Sequence, residues 1–328
     1  LFISCGAPIN IKVNGVVQPV STQAMDPETV RRIAYELMSK DQAREFENTL
    51  EMNLSYLDRS VGNFRVNVFR QRGSISLVIR YVRSQVDEYI AFLEELTGRP
   101  LDRDRMNEVG HLSVAGQRMW QAVLDTTVNK PAPMSAFDAF FHLALIVTLR
   151  GTQQAVDYYE GLLAEMNQRV KDGIGAVPRE RFRLLWDNLP IWYRTKWLSE
   201  KFAAHDACLV ADTYTSAWCG SLRYLDENDF LESMAEGYTR IYLNIGVDEM
   251  ARMVCDMVDK YDTDGLVMHS NRSCKPYSLG QYDIIRMVER EKGIPALLIE
   301  ADMCDERNFS ESQIETRIEA FIEMLAHK

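Results

Sequence analysis

No two of the six cysteines in this 328-residue sequence form a CxxC pair, which sets aside a disulfide framework. Thiols that stay reduced or bind metal fit the cytoplasm, the expected compartment. Positive charge is also short. A formal charge of −11 excludes general nucleic-acid binding, which needs a basic footprint. Long apolar runs are missing too. The longest, from Ala139 to Leu149, is too short to span a bilayer and is broken by His142, so no membrane insertion is expected. The first residues do not read as a signal peptide. Finally, GxxxxGK followed by Ser or Thr occurs nowhere, so the backbone cradle and lysine for nucleotide phosphates are absent.

What is present is ordinary globular composition, 46% hydrophobic and 26% charged, with length enough for two domains. The charge is unevenly spread. Residues 1–82 hold ten Lys/Arg against eight Asp/Glu, so −13 falls on the remainder. That step points to two modules of different origin.

In the first module "INIKVNGVVQPV" alternates Ile9, Ile11 and Val13 before Asn14-Gly15, a strong hairpin signal. Asp26-Pro27 supplies an N-cap and first-turn proline, with Val30, Ile33, Ala34 and Leu37 at helical spacing. Ser39 with Gln42 makes a capping box for a second helix. "NFRVNVFRQRGSISLVIRYV" returns to strand alternation with a turn near Gly73. Strands, helices, strands: the order predicts a small α+β domain.

"LFISCGAPINIKVNG", "ELMSKDQAREFENTLEMNLSY" and "GNFRVNVFRQRG" resemble the N-terminal domain of the twitching-motility retraction ATPases of type IV pili, over residues 1–82. In that family a motor with a phosphate-binding loop follows; here that loop is missing, so ATP hydrolysis is not carried over. The resemblance implies that Arg65, Arg70 and Arg72 face a neighbouring subunit's nucleotide. The plainer reading makes them solvated strand charges.

From Arg83 the sequence turns helical. "VDEYIAFLEELTG" sets Ile90, Leu93 and Leu96 on one face and stops at Gly98. "FDAFFHLALIV" reads as a buried helix, with His142 a core histidine rather than a metal ligand. After Pro178, "FRLLW", "CLVAD", "RIYLNI", "DGLVMHS" and "PALLIEAD" alternate with helical or polar stretches, the pattern of a parallel sheet of βα units. The expected architecture is thus α/β: a small α+β module over 1–82, helices over 83–178 and a flavodoxin-like parallel-sheet domain over 179–328. The join near Val82–Ser84 has no linker and reads as a strand running into a helix, as in a fusion.

Ligands bind outside the carboxyl ends of such strands. Here those ends hold Asp187 and Asn188, Asp212, Asn244, His269 to Lys275, and Glu300 with Asp302. The stretch "DGLVMHSNRSCKPYSLGQYD", residues 264–283, is the densest of them. A loop made only to turn the chain would use Gly, Asn, Asp or Ser.

"RLLWDNLPIWYR", the same 264–283 stretch and "GIPALLIEADMCDERNFSESQIETRIEAFIEML" resemble the 2-hydroxyacyl-CoA dehydratase and benzoyl-CoA reductase family, from about residue 83 to the C-terminus. The resemblance implies a subunit of a lyase that removes water from a 2-hydroxyacyl-CoA by radical chemistry at a 4Fe-4S cluster, with benzoyl-CoA reductase-like reduction of an aromatic ring as the second choice. It further implies an acyl-CoA substrate, a second homologous subunit and an ATP-dependent activator protein. By the family's Ser-Cys-Lys element the cluster ligand is Cys274, and Arg272 and Lys275 beside it favour thiolate. Asp187, Asp212, His269, Ser270, Asn271, Arg272, Lys275 and Glu300 are the candidate substrate-binding residues. Asp187, Asp212, Asn271 and Glu300 have an alternative use, capping helices or satisfying backbone. No catalytic residue is singled out.

Cys255, at helical spacing, reads as core, and Cys208 opens a buried strand. Cys219 and Cys304 sit in no motif, and Cys5 belongs to the other module. The family's usual N-terminal domain, source of further cluster cysteines, is replaced here by the pilus-motor-like module, so the ligand set is incomplete. The competing reading is a non-catalytic fusion or interaction protein without ATPase activity.

Overall fold

The computed structural model describes residues 1–13, 16–58, 61–71, 73–220, 222–226 and 230–327. They divide into two units, Leu1–Leu101 with Leu231–Glu236, and Asp102–Phe230 with Gly237–Lys328.

In the first unit β1 (Phe2–Ser4), β2 (Asn10–Val13) and β3 (Val16–Pro19) precede α1 (Pro27–Leu37) and α2 (Lys40–Thr49). Strands β4 (Glu51–Asp58), β5 (Gly62–Gln71) and β6 (Ser74–Tyr81) follow, and α3 (Val82–Thr97) begins directly after β6. The sheet is antiparallel in the order β3-β2-β1-β6-β5-β4. Asp26 caps α1 by accepting from the N–H groups of Glu28 and Thr29, and Ser39 and Gln42 form the capping box of α2. These caps answer backbone donors that a helix start leaves without partners. Alternation places Val66, Val68, Ile75 and Leu77 against Val30, Ala34 and Phe46 in one core. Asn14-Gly15, the expected hairpin turn, and Arg72 lie outside the described residues; Val13 and Val16 pair on either side of the former. Arg65 and Arg70 are exposed, Arg70 reaching Glu47 at 3.4 Å. Helix α3 stops at Gly98, whose φ of +65° suits glycine. Ile90 and Leu93 are half-buried while Leu96, expected on the same face, is exposed.

The second unit opens with α4 (Arg103–Asp125), α5 (Ala136–His142), α6 (Ala144–Thr148) and α7 (Gln153–Asp172). The stretch expected as one buried helix is two short ones, and Phe141 and Val147 face outward. His142 is half-buried beside the Tyr158 hydroxyl, 2.7 Å away. Then come β7 (Phe182–Asp187), α8 (Thr195–Ala204), β8 (Ala207–Asp212) and α9 (Thr213–Gly220), followed by α10 (Phe230–Thr239), whose Leu231–Glu236 are counted with the first unit, and by α11 (Val247–Tyr261). The chain ends with β9 (Gly265–Asn271), α12 (Lys275–Ser278), α13 (Gln281–Lys292), β10 (Ala296–Ala301) and α14 (Glu311–Ala326).

Its sheet is parallel, ordered β10-β9-β7-β8. Read from β8, this is the second-first-third-fourth order of a flavodoxin-like sheet. One face presents Leu184, Trp186, Val267 and Ile299, the other Leu185, Val210, Leu266 and Met268, all buried. Each such side chain contributes about 1.5–3 kcal/mol on leaving water, which explains the nearly unbroken apolar runs. "RIYLNI", expected as a strand, is not one: Tyr242–Asn244 forms a 3-10 turn. Tyr242 turns inward to meet Asp187, and α11 starts three residues after the turn. No described helix is long and apolar enough to cross a membrane.

Candidate functional site

The strand order turns around at β7. The connection through α8 leads to β8 on one side of it, and the later crossover leads to β9 on the other. Such a reversal point, between β7 and β9, is where ligands bind in open parallel sheets, outside the carboxyl ends of the strands. The last residues of those strands are Asp187 and Asn271.

Asn188 closes β7 in the left-handed region, φ +87°, which a short amide side chain tolerates better than most. Its backbone N–H donates to Thr213 Oγ1 (3.2 Å), and its Nδ2 to the His269 carbonyl (2.6 Å). The ends of β7, β8 and β9 are thereby tied together.

Asp187 is fully buried. Its Oδ1 accepts from Thr213 Oγ1 (2.8 Å) and the Tyr242 hydroxyl (3.0 Å), while Oδ2 has no partner. Burial pushes this carboxyl up to about 6, against the hydrogen bonds that favour its ionised form. Asp212, at the end of β8, accepts from the Thr215 N–H and hydroxyl, both at 2.5 Å, and so caps α9. Burial pushes it up to about 7. Thr213, Tyr242 and Tyr277 surround the pair, and burial raises both phenols well above their ordinary range.

His269 is buried on the opposite face of β9 from Met268, its ring 6.1 Å from that of Trp186. Burial pushes the imidazole down to about 4, so it is neutral near pH 7. Nδ1 lies 2.7 Å from the Leu189 carbonyl and therefore carries the hydrogen. Ser270, half-buried, pairs in register with Glu300.

Asn271 organises the loop. Its Oδ1 accepts from the N–H groups of Ser273 (3.2 Å) and Met303 (3.4 Å). Its carbonyl accepts from the Cys274 N–H (3.2 Å) and the Ser278 hydroxyl (2.8 Å). These bonds set half-buried Cys274 at the start of α12, with Lys275 exposed beside it. Arg272 is also exposed. Its guanidinium donates to Glu300 Oε1 (2.8 Å) and Asn308 Oδ1 (3.0 Å), so its charge is partly matched within the chain. Asp302 accepts from Ser273 Oγ and from the N–H groups of Cys304 and Asp305 (both 2.9 Å), bracing the loop from β10.

The candidates thus fall into three groups. Asp187 with Asp212, and His269 with Asn271, are buried at the strand ends, while Arg272, Lys275 and Glu300 are exposed beyond them with Cys274 half-buried. Cys208, Cys219 and Cys255 are buried and Cys304 is exposed. Among the described residues no three His, Cys, Asp or Glu side chains are grouped to hold a metal ion. Thr213, Tyr242 and Gln281 were not singled out in the sequence. The Tyr242 signal was obscured by the apolar run around it, and Gln281 reads there as an ordinary helix start.

A family model described as 2-hydroxyglutaryl-CoA dehydratase, D-component, matches residues 72–325. The (R)-phenyllactyl-CoA dehydratase alpha subunit of Clostridium sporogenes is 32% identical over 251 residues, covering 76% of this chain and 60% of its own. The (R)-2-hydroxyisocaproyl-CoA dehydratase alpha subunit of Clostridioides difficile is 30% identical over 252 residues, 76% of this chain and 61% of that one. The chain therefore spans about three-fifths of the length of these relatives. Type IV pilus ATPase PilU of Pseudomonas aeruginosa is 38% identical over 96 residues, 29% of this chain and 24% of the relative.

Proposed function

The chain belongs to the 2-hydroxyglutaryl-CoA dehydratase D-component family, and from that membership we propose that residues 83–328 serve as one subunit of a 2-hydroxyacyl-CoA dehydratase. Its substrate is an acyl-CoA, its partners a second homologous subunit and an ATP-dependent activator, and its compartment the cytoplasm. Residues 1–82 form a separate module with no ATPase role, since they bring no phosphate-binding loop.

The observation that carries this reading is the loop after β9. Cys274 and Lys275 follow a strand that borders the reversal of strand order, within the residues matched by the family. There Lys275 and Arg272 offer positive charge to CoA phosphates, and Cys274 offers one thiolate. A single thiolate does not hold a 4Fe-4S cluster, so a cluster here draws its other ligands from outside the described residues. The cluster's own contribution would be electron transfer to the thioester. This chain's part is to orient the acyl-CoA and hold the loop, with neutral His269 and Asn271 as its floor.

The test is an anaerobic assay of the chain with a homologous second subunit and a reducing activator, following enoyl-CoA formed from a 2-hydroxyacyl-CoA. Turnover is expected with the assembled pair, lost in Cys274→Ser and kept in Cys255→Ser, which lies in the core of α11. Failure of the chain to support turnover, or equal rates in both variants, contradicts the reading.

A further inference from the structure

At the amino end of β10, an open groove of about 560 Å³ is lined by Glu289, Gly293, Ile294, Pro295, Met324 and His327. Its floor is apolar. Met324 is half exposed, and Gly293, at φ +64°, leaves open space where a Cβ would stand. Two helices end on it: α13, where the Gly293 N–H closes on the Glu289 carbonyl, and α14, where the His327 N–H closes on the Glu323 carbonyl.

A helix C-terminus is the negative pole of the peptide dipoles, and its last carbonyls have no helical partner. Cations suit such an end and carboxylates do not. Both helices break that rule. Glu289 lies in the last turn of α13 and Glu323 in the last turn of α14, both exposed. The cations in the last turn of α13 are spent elsewhere, Arg290 on Glu291 at 3.1 Å and Lys292 on Asp259 at 2.5 Å, and α14 has none in its last turn. Among the described residues no cation pairs with Glu289 or Glu323. The fold gains nothing from these carboxylates. A local rule broken twice at one place, beside an apolar groove, marks a surface kept for another use.

We propose that this groove is a docking site for a basic amphipathic helix of a partner protein. An aliphatic side chain of that helix rests on Ile294, Pro295 and Met324, while its Lys or Arg residues meet Glu289, Glu323 and the free carbonyls of the two helix ends. A second copy of this chain does not fit, because a two-fold pairing through this face sets like charges against each other. The groove is at the opposite end of the strands from Cys274, and the proposal does not depend on the dehydratase reading.

The experiment is a fluorescence anisotropy titration of the full chain against a labelled helical peptide of about 18 residues, Leu on one face and Lys on the other. Saturable binding is expected, weakened about tenfold by Glu289→Lys and likewise by the uncharged change Met324→Gln. Glu45→Lys, the same charge change on exposed surface of α2, is expected to bind as the wild type does. Glu289→Lys is also expected to unfold no earlier than the wild type, since Lys suits a helix end. No binding, equal losses in Glu289→Lys and Glu45→Lys, or full affinity in Met324→Gln overturns the proposal. Earlier unfolding of Glu289→Lys overturns it too, by showing that the carboxylate serves the fold. So does equally strong displacement by spermidine, which would make the groove a site for a free polyamine.

Discussion

The Asn188 side-chain amide donates to the His269 carbonyl across 2.6 Å, joining the two strands between which the sheet order reverses. Asn188 also holds a positive φ of 87° and is wholly buried. Asn188→Ala loses the bond, leaves Thr213 and His269 less tied, and adds left-handed strain. A loss of about 2–4 kcal/mol in urea unfolding is expected. A loss below about 0.5 kcal/mol would show that neither the bond nor the conformation matters.

Arg183 makes the matching test at the other end of β7. It is buried with Glu180 as an ion pair, and its guanidinium donates to the carbonyls of Thr127 (2.7 Å), Asn129 (3.1 Å) and Tyr261 (2.9 Å). Glu180 in turn accepts from the Ala132 N–H at 2.6 Å. Arg183→Met strands a buried carboxylate and is expected to cost about 3–5 kcal/mol. Adding Glu180→Gln removes the stranded charge and should recover part of that loss. An additive double variant would deny the coupling.

Asp212 sets a pH dependence of definite sign. Its folded carboxyl, at about 7, lies above the unfolded 3.8, so the folded state binds more protons between those values. Its contribution to stability is therefore full below about pH 4 and lost as pH rises through 7. His269 acts oppositely: lowered to about 4 from 6.5, it favours the fold above 6.5 and loses that contribution as pH falls through 4. Asn also caps helices well, so Asp212→Asn is expected to gain on the wild type steadily from pH 4 to 8. A constant difference between the two unfolding curves would contradict the raised carboxyl.

Much of this was legible from residue pattern. The caps at Asp26 and Ser39, the turn at Gly73 and the apolar runs of β7 to β10 are local signals, and local rules of capping and alternation decide them. "RIYLNI" misled because Tyr242 is buried by a hydrogen bond to Asp187, not by a strand neighbour, and an apolar run does not reveal which. Asp187 and Asp212 could be placed at strand ends, yet their burial could not, since it depends on Tyr242 and Tyr277 folding back from distant positions. Arg272 showed its charge but not its partner Glu300, which stands 28 positions further on.

The loop after β9 is where the functional reading is most exposed to a direct check. Equilibrium binding of a 2-hydroxyacyl-CoA to the chain should be measurable, weakened about tenfold by Lys275→Glu and weakened again by added salt. Lys12→Glu, a reversal in the first module, should leave it unchanged. Absence of binding, or equal affinity in wild type and Lys275→Glu, would contradict the assignment of this loop to the acyl-CoA.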